Sequence, residues 1–122
     1  MESTVIIALG ANFDPQDNIN RAKEELRSLF PDIVFSRSLW TEPIGITSGR
    51  FINAMALAHS DLPKEEVERH LKRIERECGR CVEEKKKGII RLDLDLMQWG
   101  EEKLRPKDWD REYILTLCKE LP

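Results

Sequence analysis

The sequence predicts an α+β fold, an antiparallel sheet with helices packed on one face, and three observations carry that expectation. Short runs at residues 4–9 and 92–99 have the β-branched content or strict alternation of strands. Two longer segments, opening at Asp14-Pro15 and near Asp61, repeat apolar residues at helical spacing. Their order along the chain, strand, helix, strand, strand, helix, strand, is that of the ferredoxin-like βαββαβ arrangement.

Each element has a local reason. Thr4-Val5-Ile6-Ile7-Ala8-Leu9 is β-branched, ends at Gly10, and reads as a central strand buried on both faces. Asp14 then stands as N-cap with Pro15 in the first helical position. Ile19, Ala22, Leu26, Leu29 and Phe30 follow on one helical face, to a stop near Phe30-Pro31. Residues 33–40 read as one strand and residues 51–58 as the next. Residues 41–50 between them are too many for a tight hairpin, and loops of this length are often functional.

The second helix has Pro63 in its first turn, a stripe of Val67, Leu71, Ile74 and Cys78, and Gly79 as a suitable residue just past its end. A basic stretch, Lys85-Lys86-Lys87, leads into Leu92-Asp93-Leu94-Asp95-Leu96, whose alternation predicts the last strand. A short helix is expected around residues 109–118. With no repeat, linker or low-complexity segment, residues 1–122 read as one domain.

Charge narrows the function. The 23 acidic and 20 basic residues nearly cancel to a net −3, so no broad field favours nucleic acid or an anionic membrane, and any anion site must be local. The first residues lack a leader pattern and no apolar run is long enough to span a bilayer. Three cysteines make no disulfide framework. A soluble cytoplasmic protein is the expectation.

Asp93 and Asp95 carry the strongest chemical signal. At positions i and i+2 of a strand they share a side, with Cα atoms roughly 6.5 Å apart, so their carboxylates converge on hard cations. Mg²⁺ commonly takes one or two carboxylates and completes its shell with substrate phosphates. The plain structural alternative is the solvated face of a half-buried strand, against which stands the low strand propensity of aspartate. Lys85, Lys86 and Lys87, with Arg80 and Arg91 on either side, read either as a polyphosphate clamp or as a solvated loop. Cys78-Gly79-Arg80-Cys81 has redox spacing but ends a helix, where the dipole disfavours thiolate, so the spacing is read as incidental. His59 and His70 read as ordinary surface or boundary residues.

Taken together, five motifs in register resemble one family, the 6-hydroxymethyl-7,8-dihydropterin pyrophosphokinases. They are Ala8-Leu9-Gly10-Ala11-Asn12, Thr41-Glu42-Pro43-Ile44-Gly45, Phe51-Ile52-Asn53-Ala54, Arg73-Ile74-Glu75 with Gly79-Arg80, and Leu92-Asp93-Leu94-Asp95-Leu96, spread over about residues 5–100. The resemblance implies a ferredoxin-like fold and transfer of pyrophosphate from ATP to a reduced pterin alcohol in folate synthesis. It implies two Mg²⁺ ions on Asp93 and Asp95, with Arg80 in the catalytic group. Thr41, Pro43, Ile44, Phe51, Asn53 and Tyr113 would hold the pterin. Glu75, Arg80, Lys86, Arg91, Lys107 and Arg111 would face the nucleotide.

Departures from the family pattern cluster before the metal strand. Val82 stands for an arginine, Lys87 for a tryptophan, and Ile89-Ile90 for a Pro-Arg pair, with Arg91 one residue late and therefore on the other side of a strand unless a bulge intervenes. Lys107 takes the place of a histidine, and the chain stops at Pro122, before most of the family's usual C-terminal segment. Two readings follow, an active pyrophosphokinase and a catalytically silent binding protein that has lost its arginine clamp. An RNA-binding module of the same architecture is disfavoured, because residues 4–9 carry no aromatic for base stacking.

Overall fold

In the computed structural model, residues 2–42 and 49–122 are described. The chain runs β1 (Ser3–Ala11), α1 (Pro15–Leu29), β2 (Val34–Phe35), β3 (Leu39–Thr41), β4 (Phe51–Ser60), α2 (Lys64–Glu77), α3 (Val82–Lys86), β5 (Asp93–Trp99), β6 (Glu102–Lys103), a 3₁₀ turn at Asp108–Asp110 and α4 (Glu112–Cys118). Among the described residues the strands form one antiparallel sheet in the order β2-β4-β1-β5-β6, with β3 also on β4. That is the ferredoxin-like order, with a small hairpin strand and a helical tail added.

Alternation along β1 sorts the molecule into two halves. Val5, Ile7, Leu9 and Ala11 are essentially inaccessible and pack with Ile52, Ala56 and Ala58 of β4 and with Leu94 and Leu96 of β5 against α1 and α2. Fully burying each large aliphatic side chain here is worth about 1.5–3 kcal/mol, so this face holds the fold. The intervening Thr4, Ile6 and Ala8 are only half-buried. The strand expected to be buried on both faces thus has one close-packed face and one that is a partly open floor. α1 and α2 lie together on the first face as expected. The tail helix takes the other, where Ile114 and Leu117 of α4 cover Met55 and Met97.

A β-bulge explains how the tail attaches. Leu96 pairs with Ile7 and Gln98 with Ile6, which leaves Met97 unopposed. Its carbonyl accepts from the Leu104 amide at 2.9 Å and from Trp109 Nε1 at 3.0 Å, fixing the 3₁₀ turn beside β5.

Other elements differ from expectation for local reasons. The single strand expected over residues 33–40 is two short ones. Ser36 interrupts it, its amide donating to the Met55 carbonyl while its hydroxyl accepts from the Met55 amide, both at 2.8 Å. Asp14 caps no amide with its side chain and sits at φ 40°; the first turn of α1 is closed by Asn18, whose amide donates to the Asp14 carbonyl and whose side chain donates to the Phe13 carbonyl. The basic stretch before β5 is not a bare loop, since Val82–Lys86 forms a helical turn. Among the described residues no helix is long and apolar enough to cross a membrane.

Candidate functional site

On the half-open face of the sheet, β1, β4 and β5 floor a cavity of about 510 Å³. Ala8 and Gly10 give it depth because they place almost nothing above the sheet. A Cβ at residue 10 would meet Asn53 Oδ1 at 3.2 Å, so glycine leaves the Asn53 amide room. Asn53, almost wholly buried, donates from Nδ2 to Thr41 Oγ1 at 2.6 Å, which fixes which edge of its amide faces inward. Phe51 lies one pleat along, and Tyr113 of α4 is the second aromatic in the lining.

Asp93 and Asp95 stand in the floor on β5, opposite Gly10 and Ala8. Arg80 reaches them from the turn after α2. Its Nη1 lies 2.7 Å from Asp93 Oδ1, 2.7 Å from Glu75 Oε2 and 3.3 Å from the Leu92 carbonyl oxygen. Glu75 Oε2 also accepts from the Leu94 amide at 2.7 Å, so the buried carboxylate closes the outer edge of β5 and anchors Arg80 at once. Burial pushes the Glu75 carboxyl up, opposed by the Leu94 amide and by Arg80.

The two aspartates titrate apart. Burial acts to raise Asp93, but hydrogen bonds from Arg80 and Asp95 outweigh it and hold the Asp93 carboxyl below the ordinary range. Burial, and then the charge of Asp93, push Asp95 up to about 7. Two converging carboxylates short of positive charge suit a hard divalent cation. Among the described residues no third His, Cys, Asp or Glu completes a cage, so further ligands must come with the substrate or from water.

Cations ring the opening. Lys72 and Lys85 line it from the α2–α3 side, Arg105 and Arg111 from the tail. Arg105 Nη1 lies 3.5 Å from Asp95 Oδ1, and Asp108 holds Arg105 through Oδ2 at 2.8 Å and Arg111 through Oδ1 at 3.3 Å.

With this geometry, the family model described as 7,8-dihydro-6-hydroxymethylpterin-pyrophosphokinase (HPPK) matches residues 6–122. The chain belongs to the HPPK family. Its similarity extends to the folate synthesis bifunctional protein of Arabidopsis thaliana, 33% identical over 126 aligned residues, covering 92% of this chain and 25% of that protein. The mitochondrial folate synthesis bifunctional protein of Pisum sativum is 30% identical over 131, covering 98% and 25%. The chain therefore spans about a quarter of the length of these relatives. Among solved structures, the de novo designed protein Foldit4 overlaps 84% of this chain and 100% of its own at a TM-score of 0.42 and 17% identity, too loose to bear on the site.

The structure gathers most of the residues that the HPPK motifs single out. Thr41, Phe51, Asn53, Glu75, Arg80, Asp93, Asp95, Arg111 and Tyr113 all line the one cavity. Pro43 and Ile44 lie outside the described residues. Lys86, Arg91 and Lys107 are not in the lining. Arg91 turns to the other side of its segment, as the one-residue offset predicts, with Nε and Nη2 at 2.7 and 2.9 Å from the Glu84 carboxylate and its guanidinium 4.2 Å from the Phe13 ring centroid. Lys85, not Lys86, supplies the α3 cation. Four charged lining residues, Glu42, Lys72, Arg105 and Asp108, were not among the expected ones. Lys72 precedes Glu75 by three on α2 and so shares its face, which helical spacing predicts once Glu75 is chosen. Glu42 sits inside the motif at residues 41–45, at a position to which no role was given, and Arg105 and Asp108 follow no motif read in the sequence.

Proposed function

We propose that this chain transfers the pyrophosphoryl group of ATP to 6-hydroxymethyl-7,8-dihydropterin, giving AMP and the pterin pyrophosphate. The observation that carries the reading is the meeting of two unlike walls in one cavity: Phe51 and Asn53 on β4, and the Asp93/Asp95 pair with its surrounding cations on β5, with Gly10 of β1 between Asn53 and Asp93.

In this reading Asn53, its Nδ2 engaged by Thr41, presents its carbonyl oxygen to the pterin's N–H donors, while Phe51 and Tyr113 flank the ring. That placement brings the pterin hydroxymethyl oxygen to the aspartate end. Its oxygen attacks the β-phosphorus, the bond from that phosphorus to the α–β bridging oxygen breaks, AMP leaves with the electron pair, and the hydroxyl proton passes to solvent water. Asp93 and Asp95 would hold Mg²⁺, which when bound would supply charge neutralisation for the polyphosphate and for the attacking oxygen. Arg80, held by Glu75, stays beside Asp93 and compensates charge without reorganising. Lys72, Lys85 and Arg111 surround the opening where the triphosphate enters. Little covalent chemistry is asked of the protein, whose contribution is position and charge.

The test is direct. Purified protein with ATP, Mg²⁺ and the reduced pterin should form AMP and pterin pyrophosphate in equal amounts, and neither without Mg²⁺. A second reading, a silent pterin-binding descendant, is favoured by the diversion of Arg91 to Glu84 and Phe13 and by Val82 and Ile90 in place of arginines. Calorimetric binding of 6-hydroxymethylpterin with no Mg²⁺-nucleotide binding would select it. Three free thiols suit a reducing compartment such as the cytoplasm. Fractionation tests that location against the mitochondrial one in the name of the Pisum sativum relative.

A further inference from the structure

We propose that Arg105 is a two-position cation of this cavity. Over bare aspartates it neutralises Asp95; with a divalent cation and a nucleoside triphosphate in place, its guanidinium turns from Asp95 to the polyphosphate. The first position stands on geometry alone, and the second rests on the pyrophosphokinase reading.

The arginines of the cavity are held very differently. Arg80 spends one nitrogen on Glu75, Asp93 and the Leu92 carbonyl, and moving it would strand the buried Glu75 carboxylate. Arg105 is fastened only at its root. Its Nε donates to Asp108 Oδ2 at 2.8 Å, whereas Nη1 stands 3.5 Å from Asp95 Oδ1, beyond a good hydrogen bond, and half the side chain is exposed. The planar guanidinium can swing as one unit through the side-chain torsions, and its 3.5 Å approach to Asp95 is the looser of its two contacts.

That anchor is rigid. Trp109 Nε1 donates to the Met97 carbonyl at the bulge, and the Asp108 amide donates to the Arg105 carbonyl at 2.9 Å. Arg105 has φ 52°, one of two positive-φ residues other than glycine among those described. For an arginine this backbone conformation is strained, and such strain persists where the surroundings over-determine it, commonly at functional sites. The bulge, the 3₁₀ turn and the strained residue together set the base of this side chain at the rim of the aspartate pair.

Electrostatics supplies the motion. Bare, Asp93 and Asp95 attract the Arg105 tip. A dication on them reverses the sign of the local field, and the phosphates that arrive with it offer the guanidinium a better partner within the reach of its own side chain. Arg111, on the other oxygen of Asp108, flanks the same entrance.

The experiment reads the two positions separately. Binding of Mn²⁺ alone, followed by electron paramagnetic resonance, reports competition at the aspartates. Calorimetry with a nonhydrolysable ATP analogue and Mg²⁺ reports the polyphosphate contact. Arg105→Gln should take Mn²⁺ several-fold more tightly and the Mg²⁺-nucleotide about tenfold more weakly, the loss of one charge-assisted contact. Arg105→Gly, which accepts the positive φ without strain, should give the same opposed pair of shifts should the glutamine variant fold poorly. Arg105→Lys should return Mn²⁺ affinity to the wild-type value and restore nucleotide affinity only in part, lacking the planar fork. Shifts of the same sign, or none, in variants that melt as the wild type does would overturn the inference while leaving the pyrophosphokinase reading intact. Wild-type protein that binds Mn²⁺ but no nucleotide would instead sink that reading, and with it the second position of Arg105.

Discussion

The two faces of the sheet are made by the same strands and obey opposite rules. On the face under α1 and α2, alternate residues of β1 are Val5, Ile7, Leu9 and Ala11, all inaccessible. On the other face the residues between them, Ala8 and Gly10, are small, and their β5 partners are the acids Asp95 and Asp93. One face is filled to hold the fold. Beside the Met55, Met97, Ile114 and Leu117 cluster under α4, the other is left open and charged around Asp93 and Asp95. A single-residue step along the chain therefore exchanges a stability position for a binding position.

The sharpest way to break this contrast is at Asp95. If the proposed reaction is the right one, Asp95→Asn should reduce Mg²⁺-dependent AMP formation by about a thousandfold or more, measured as kcat/KM, because on that reading it removes a metal ligand where charge must be compensated. The same variant should be more stable than wild type in the absence of metal. The Asp95 carboxyl is raised to about 7 in the folded chain against an ordinary value near 4, so the folded state favours its protonated form. Its ionisation weakens the fold progressively as pH rises through that interval. Urea unfolding should show equal stabilities near pH 4 and an advantage to the variant that grows to about 4 kcal/mol above pH 7, the rise of about three pH units at about 1.4 kcal/mol each. A variant that unfolds without losing metal would instead make the aspartates part of the structural face.

On the helix face the expectation reverses. Ile7→Ala should cost about 2–5 kcal/mol by denaturant titration, with the slope of the transition unchanged and metal binding by the surviving folded protein intact. Affinity for Mn²⁺ should fall about tenfold per pH unit below about 7, since the cation must displace the Asp95 proton, and level off above it. An affinity flat from pH 5 to 8 would mean that Asp95 is already ionised without metal. The smallest effect separates neighbours on α3. Lys85→Ala should weaken Mg²⁺-nucleotide binding a few-fold and more so at low salt, while Lys86→Ala leaves it unchanged, because only Lys85 lines the cavity.

How far the sequence could be read follows the same division. The elements on the filled face announce themselves by period: the stripe Val67, Leu71, Ile74 and Cys78 becomes α2, and β5 runs as its alternation predicts. Asp93, Asp95, Asn53 and Arg80 were legible because their motifs sit on those elements. What stayed hidden depends on contacts between distant segments. Ser36 splits a strand only because its hydroxyl finds the Met55 amide. Arg105 enters the cavity only because a bulge at Met97 docks the tail beside β5, and no residue near Arg105 signals that bulge. Arg91 was expected near the nucleotide for its charge, yet its position in the chain sends it to Glu84 and Phe13. Register outweighed residue type.

Glu75 has a consequence of another kind. Along residues 93–97 no described strand covers the outer side of β5, and β6 pairs only with its last two residues. A bare edge of that sort is a template on which a second chain can lay its own backbone. The Glu75 carboxylate occupies the Leu94 amide and Arg80 occupies the Leu92 carbonyl, so the groups that position charge for chemistry also deny the edge to a foreign strand. Glu75→Ala should then do more than weaken nucleotide binding: it should make the protein self-associate with concentration, seen as a rising sedimentation coefficient. On the proposed function, solubility and nucleotide binding would share this residue, so selection for either one would guard the other.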